Sequence, residues 1–334
     1  MKSDLERLGV PIGRRSFLTA AAGLASLGVV TQAQAQQFPK LPPMPKSWID
    51  AEQISLWPDG PPTNGFAAKP LPPGWPDIMV RNIERPVLRV FRPATSNGRA
   101  LLVMPGGAYT FVSILNEGVD VARTMTARGY TVFVLTYRLP DEGWKGREDV
   151  PLQDAQRAIR MIRAQAGRYG YGADMVAAVG FSAGGHLGAT LATDFAQPVY
   201  RPRDATDALD ARPTAMGLIY PVISVTAPIT HTESAMRLLG NAPTADLVAR
   251  RSPASHVGAD TPPVFLVHAL DDSAVPAENS LIMMRAMQAA KRPVEVHLFE
   301  EGGHGFGLGP ADKPCGRWST LFAAWLDRHF AAKG

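Results

Sequence analysis

The sequence predicts an α/β domain built on a mostly parallel sheet with helices on both faces. Three observations carry this. Continuous apolar runs of five or six residues recur along the chain, as strands buried on both faces show. Segments with helical apolar spacing separate them. The 334 residues are 46% hydrophobic and 19% charged, which suits one large domain with a sizeable core.

The elements follow in order. Residues 85–91 (RPVLRVF) read as an early antiparallel strand, closed by a turn at Ser96-Asn97-Gly98. Residues 100–104 (ALLVM) read as a buried strand, and a helix spans 118–128 and ends at Gly129. Residues 131–135 form the next strand. Residues 153–166 are helical, with Ala155, Ile159 and Ile162 on one stripe. A strand over 175–179 leads into Gly180-Phe181-Ser182-Ala183-Gly184 and a helix over 185–192. Strands at 215–220, 264–268 and 294–299, a helix at 277–290 and a closing amphipathic helix at 318–330 complete the series. Strands alternating with helices imply parallel pairing. The stretch 222–260 is less regular and is expected to contribute part of a cap.

The N-terminal region stands apart. Arg14-Arg15-Ser16-Phe17-Leu18 resembles a twin-arginine export signal, followed by a mildly apolar stretch and by Ala33-Gln34-Ala35, small residues suited to a signal peptidase. An ordinary secretory signal is the competing reading. The apolar run is too short for a membrane anchor. Cleavage after Ala35 and residence in the periplasm of a Gram-negative bacterium are expected, with the export machinery as partner. Cleavage would remove four basic and two acidic side chains and leave a net charge of +2. Residues 36–77 are proline-rich and read as an extended arm on the surface of a domain spanning 78–334, with Trp48, Trp57 and Trp75 pinning it.

Composition narrows the function. Basic residues are scattered and the net charge is only +4, so nucleic-acid binding has little support. A single cysteine, Cys315, excludes an internal disulfide and a cysteine-rich metal site.

The chemistry concentrates at Ser182. Gly180-Phe181-Ser182-Ala183-Gly184 fits the G-x-S-x-G elbow in its required strand–turn–helix context. A serine hydroxyl needs a histidine base, and the base needs a carboxylate to fix its tautomer. On such a sheet these should follow on loops after later strands. His304 sits in the loop Gly302-Gly303-His304-Gly305-Phe306-Gly307 after the last strand, and Asp271 and Asp272 follow the strand before it. Either aspartate could serve on these grounds. His186 is expected to pack or bond locally, and His268 to orient the acid loop. Oxyanion donors are expected from the Ala183 amide and from Met104-Pro105-Gly106-Gly107-Ala108-Tyr109. That loop resembles the HGGG type, with Pro105 at the histidine and Ala108 at the third glycine, so Gly107 and Ala108 would donate.

Taken with Thr136-Tyr137-Arg138-Leu139-Pro140 and Leu56-Trp57-Pro58-Asp59-Gly60, these motifs resemble the α/β-hydrolase superfamily. They are most similar to the bacterial acetyl-xylan-esterase-like (xylanase-associated esterase) group, over about residue 54 to the end. In that group the acid lies four residues after a histidine and precedes Val-Pro. Counting from His268 gives Asp272, ahead of Val275-Pro276, which favours Asp272 over Asp271. The resemblance implies hydrolysis of a short acyl ester, acetyl first, on a carbohydrate or small molecule through a Ser-His-Asp triad and an acyl-enzyme. It implies no metal and no organic cofactor. It makes Tyr109 and Trp144 candidates for stacking on a sugar ring, against ordinary packing. The competing readings are a prolyl-oligopeptidase-type peptidase and a catalytically idle hydrolase-fold binding protein.

Overall fold

The computed structural model describes residues 41–331. The expected export signal and the expected cleavage after Ala35 therefore lie outside the described residues. Ten strands form: β1 (Glu52–Ser55), β2 (Met79–Val80), β3 (Val87–Phe91), β4 (Ala100–Met104), β5 (Val112–Ser113), β6 (Thr131–Thr136), β7 (Val176–Phe181), β8 (Met216–Ile219), β9 (Val264–Ala269) and β10 (Val294–Phe299). Eight of them make one sheet in the order β1-β3-β6-β4-β7-β8-β9-β10, while β2 and β5 pair as a small separate ribbon. Only β3 runs against its neighbours in the large sheet; every pair from β6 to β10 is parallel.

The strand order places the site. The chain leaves β4 for β6 on one side, then crosses to β7 on the other. The loops after β4 and β7 thus diverge from adjacent strands, and ligands bind at such switch points, outside the carboxyl ends. Met104, the last residue of β4, pairs with Gly180 in β7. The two loops singled out in the sequence therefore start side by side.

Strands β4, β6, β7 and β9 are buried along their whole length. Helices on both faces cover them, which is why these strands read as unbroken apolar runs. On the last strand, β10, burial is only partial, as expected of a sheet edge. Among the described residues no helix is long and apolar enough to cross a membrane.

Two expectations need correction. The stretch 36–77 is not merely an arm, because residues 52–55 supply β1, the opposite edge of the sheet, after a single helical turn at Lys46–Ile49. A boundary at residue 77 would cut the sheet. The tryptophans do act as anchors: Trp48 packs on Phe91, and the Trp57 indole donates to Asp154 at 2.7 Å. Asp154 is also gripped by the fully buried Arg138 through Nε and Nη2, so an ion pair that would be costly alone is satisfied on several sides. The stretch 222–260 is more regular than expected. It holds helices at Thr232–Leu239 and Ala245–Arg250, capped by the His231 and Thr244 side chains.

Candidate active site

Ser182 opens the helix Ser182–Asp194 directly after β7, with φ at +52°. A non-glycine residue there is strained by about 1–3 kcal/mol and persists only where its surroundings enforce it. The enforcement is visible in the flanking glycines. A Cβ on Gly180 would lie 2.2 Å from the Gly184 carbonyl oxygen, and one on Gly184 would lie 2.3 Å from that of Met104. The elbow closes on itself and against β4 with no room for a methyl group.

The partner loops converge on this serine. Ser182 Oγ donates to His304 Nε2 at 2.8 Å, and His304 Nδ1 donates to Asp272 Oδ2 at 2.7 Å. The other Asp272 oxygen accepts the amides of Ala274 and Val275 at 3.0 and 2.8 Å. His268 Nε2 lies 3.4 Å from Asp272 Oδ2. Burial by itself would raise the pKa of Asp272. Hydrogen bonds from His268, His304 and the Val275 amide, with the charge of His304, hold it well below the usual carboxylate range. Asp271 points elsewhere and accepts the Gly303 amide at 2.7 Å, pinning the residue before His304. His268 also donates to the Val275 carbonyl and accepts from Ser280, so it braces the acid loop as expected.

The loop after β4 is tightly coiled. Gly107, Ala108 and Tyr109 have φ of +124°, +56° and +57° in succession, and the Gly107 carbonyl accepts the amides of Thr110 and Phe111. A Cβ on Gly106 would lie 2.8 Å from that of Ser182, so the loop rests directly on the serine. Among the described residues the amides of Gly107 and Ala108 have no partner. The Ala183 amide lies in the first turn of its helix, where no intrahelical acceptor exists. The Gly106 amide, in contrast, is spent on Glu117 Oε2 at 2.7 Å.

Two sequence candidates are turned away from any substrate. Tyr109 is only 2% exposed; its hydroxyl donates to His186 Nδ1 at 2.9 Å and its ring sits edge-on to Tyr137. Trp144 is 5% exposed and packs between Phe66 and the Arg138 guanidinium. Neither offers a face on which a sugar could stack, so that expectation is corrected. A loop aromatic whose ring finds apolar partners gains more from burial than from waiting in solvent.

Sequence reasoning missed Glu117 and Tyr220. Tyr220 directly follows β8 at the carboxyl edge of the sheet, with φ at +38° and its ring centroid 5.1 Å from that of His304. Its hydroxyl donates to Glu117 Oε1 at 2.9 Å. Position at a strand end was the only signal available for Tyr220. Glu117 had none, being one of two acids, with Asp120, in a largely apolar stretch. Among the described residues no three His, Cys, Asp or Glu side chains converge to hold a metal ion.

Comparison with known proteins places the chain. The acetylxylan esterase of Xylanibacter ruminicola is 31% identical over 223 residues, 66% of this chain and 43% of that protein. Endo-1,4-beta-xylanase B of Butyrivibrio fibrisolvens is 35% identical over 205 residues, 61% of this chain and 32% of that protein. The chain thus spans less than half the length of these two curated relatives. Among solved structures, an acetyl ester-xyloside bifunctional hydrolase from Caldicellulosiruptor lactoaceticus superposes with a TM-score of 0.68 at 31% identity, covering 83% of this chain and 96% of that one. The BD-FAE family model matches residues 88–287, and the chain belongs to that family of α/β-hydrolases.

Proposed function

We propose that this protein is a serine carboxylesterase that hydrolyses short acyl esters, acetyl above all, carried on carbohydrates. The observation that carries the reading is the unbroken hydrogen-bonded chain from Ser182 through His304 to Asp272, beside a loop with two uncommitted amides. The names of the relatives support the ester and the carbohydrate.

The steps follow from the geometry. His304 Nε2 takes the Ser182 proton as Oγ attacks the ester carbonyl. Asp272 holds the tautomer with the proton on Nδ1 and stabilises the imidazolium. The amides of Ala183, Gly107 and Ala108 receive the developing oxyanion. The tetrahedral intermediate collapses, the alkoxide leaves with the proton from His304, and an acyl-serine remains. Water then gives a proton to His304 and attacks the acyl carbon; collapse releases the acid and returns the proton to Oγ.

The test is turnover of a chromogenic acetyl ester by the parent and by Ser182→Ala. The variant should fall by about 10⁵–10⁶-fold in kcat with its fold intact, and equal rates would overturn the assignment. Faster turnover of a peptide anilide than of the acetyl ester would overturn the ester reading in favour of a peptidase. Acetate release across a panel of acetylated glycans then defines the alcohol. Export to the periplasm belongs to the same proposal, supported by the twin-arginine-like stretch. N-terminal sequencing should find Gln36 first, and a start at Met1 would refute it.

A further inference from the structure

The loop that carries His304 cannot hold itself. Gly303, Gly305, Gly307 and Gly309 all adopt positive φ, and glycine is the residue with most freedom to leave such a conformation. Groups outside the loop must fix it: Asp271 holds the Gly303 amide and Trp318 the Gly307 carbonyl, and one helical turn ties the loop to the rest of the site. Residues Leu115–Val119 form a π-turn, a local widening that recurs at functional sites. Asn116 in this turn donates through Nδ2 to the Gly305 carbonyl at 3.1 Å. Its own carbonyl oxygen lies where a Cβ on Gly307 would come within 2.9 Å.

Glu117, the next residue, is 4% exposed. A carboxyl so buried is stable only when its oxygens are hydrogen-bonded. Both are, and each reaches a different loop. Oε2 accepts the Gly106 amide at 2.7 Å. Oε1 accepts the Tyr220 hydroxyl at 2.9 Å, and that hydroxyl in turn accepts the Gly307 amide at 3.0 Å. Burial pushes the Glu117 carboxyl up, and these two donors draw it partly back. The Tyr220 ring completes the link by packing edge-on against His304 and Phe306.

We propose that Glu117 is a positioning residue for the ester hydrolysis argued above, on which this inference rests: through Gly106 it fixes the loop bearing Gly107 and Ala108, and through Tyr220 it fixes the loop bearing His304, so that both keep register with Ser182. The carboxylate touches no reacting atom. It acts by denying the two loops independent movement, and a misplacement of about 1 Å at reacting groups costs on the order of 10²-fold in rate.

The test uses Glu117→Ala, Glu117→Gln and Tyr220→Phe in the full chain, assayed with a chromogenic acetyl ester. Rates are normalised by titrating competent sites with a stoichiometric phosphonate ester, and unfolding temperature is followed in parallel. Glu117→Ala and Tyr220→Phe should lower kcat about 10- to 100-fold while KM changes less than about threefold. Glu117→Gln, which keeps an acceptor for the Gly106 amide, should lie between Ala and the parent. A merely structural glutamate would instead lower the unfolding temperature and leave kcat per competent site within about twofold, and that result overturns the proposal. Gln no better than Ala overturns it too. Should Glu117→Ala not fold, Tyr220→Phe, which removes one oxygen, decides alone. Ser182→Ala run alongside separates the two claims. If it is active, the esterase assignment fails; if it is dead beside a fully active Tyr220→Phe, only the present inference fails.

Discussion

His304 and His186 both lie close to Ser182, yet their surroundings give them opposite proton chemistry. His304 meets a hydroxyl on Nε2 and a carboxylate on Nδ1. His186, one helical turn beyond the serine, meets the Tyr109 hydroxyl on Nδ1 and the Arg251 carbonyl on Nε2. A carboxylate stabilises the imidazolium, so the first ring can take a proton and give it back. A carbonyl demands a proton on Nε2 and a hydroxyl donor fills Nδ1, so the second ring stays neutral. Burial, aided by the charge of Arg251, pushes its pKa down to about 4, against the pull of the Arg251 carbonyl. Partners, not proximity to Ser182, decide which histidine can be a base.

The strongest way to break this contrast is substitution of both rings. His304→Ala should cost about 10⁵–10⁶-fold in kcat, and His186→Asn less than about tenfold; similar losses in an esterase assay would abolish the distinction. The acid sharpens it next. Asp272→Asn should lower kcat by about 10⁴-fold, because the amide imposes the wrong tautomer on His304, whereas Asp271→Asn should cost less than about tenfold. The reverse ranking would move the acid to residue 271. The smallest effect concerns stability. The unfolded His186 ring takes up a proton near 6.5 and the folded one only near 4. Between those values the unfolded state binds more protons, so stability is complete above pH 6.5 and falls as the pH drops toward 4. The ring's share is about 3 kcal/mol. Urea titrations at stepped pH should show this slope in the parent and its loss in His186→Asn. An unchanged slope would mean that the neutral ring contributes nothing.

What the sequence revealed follows from how local each signal is. Gly180 to Gly184 and His304 among its glycines are each complete within a few residues, because backbone geometry at a strand end selects them; Asp272 was separated from Asp271 only by the resemblance, which counts it from His268 ahead of Val275-Pro276. The parallel sheet was legible for the same reason, since strands such as β4 and β7 need apolar side chains on both faces. Glu117 was not legible. Its partners lie 11 and 103 residues away, and it stands in an apolar stretch that reads as an ordinary helix start. Nor was β1, four residues in a proline-rich stretch whose pairing with β3 is a tertiary fact. Tyr109 and Trp144 show the converse limit: an aromatic in a loop faces solvent or core according to neighbours that the local sequence does not name.

The crowded glycines at the elbow bear on how such a protein can change over evolutionary time. At positions 106, 180 and 184 a single added carbon would strike backbone or the Cβ of Ser182, so the elbow is closed to drift by volume alone. Volume is free to change only farther from the elbow, among side chains held by one another and not by backbone, as Thr110 holds Glu233 and Arg237 reaches Asp141.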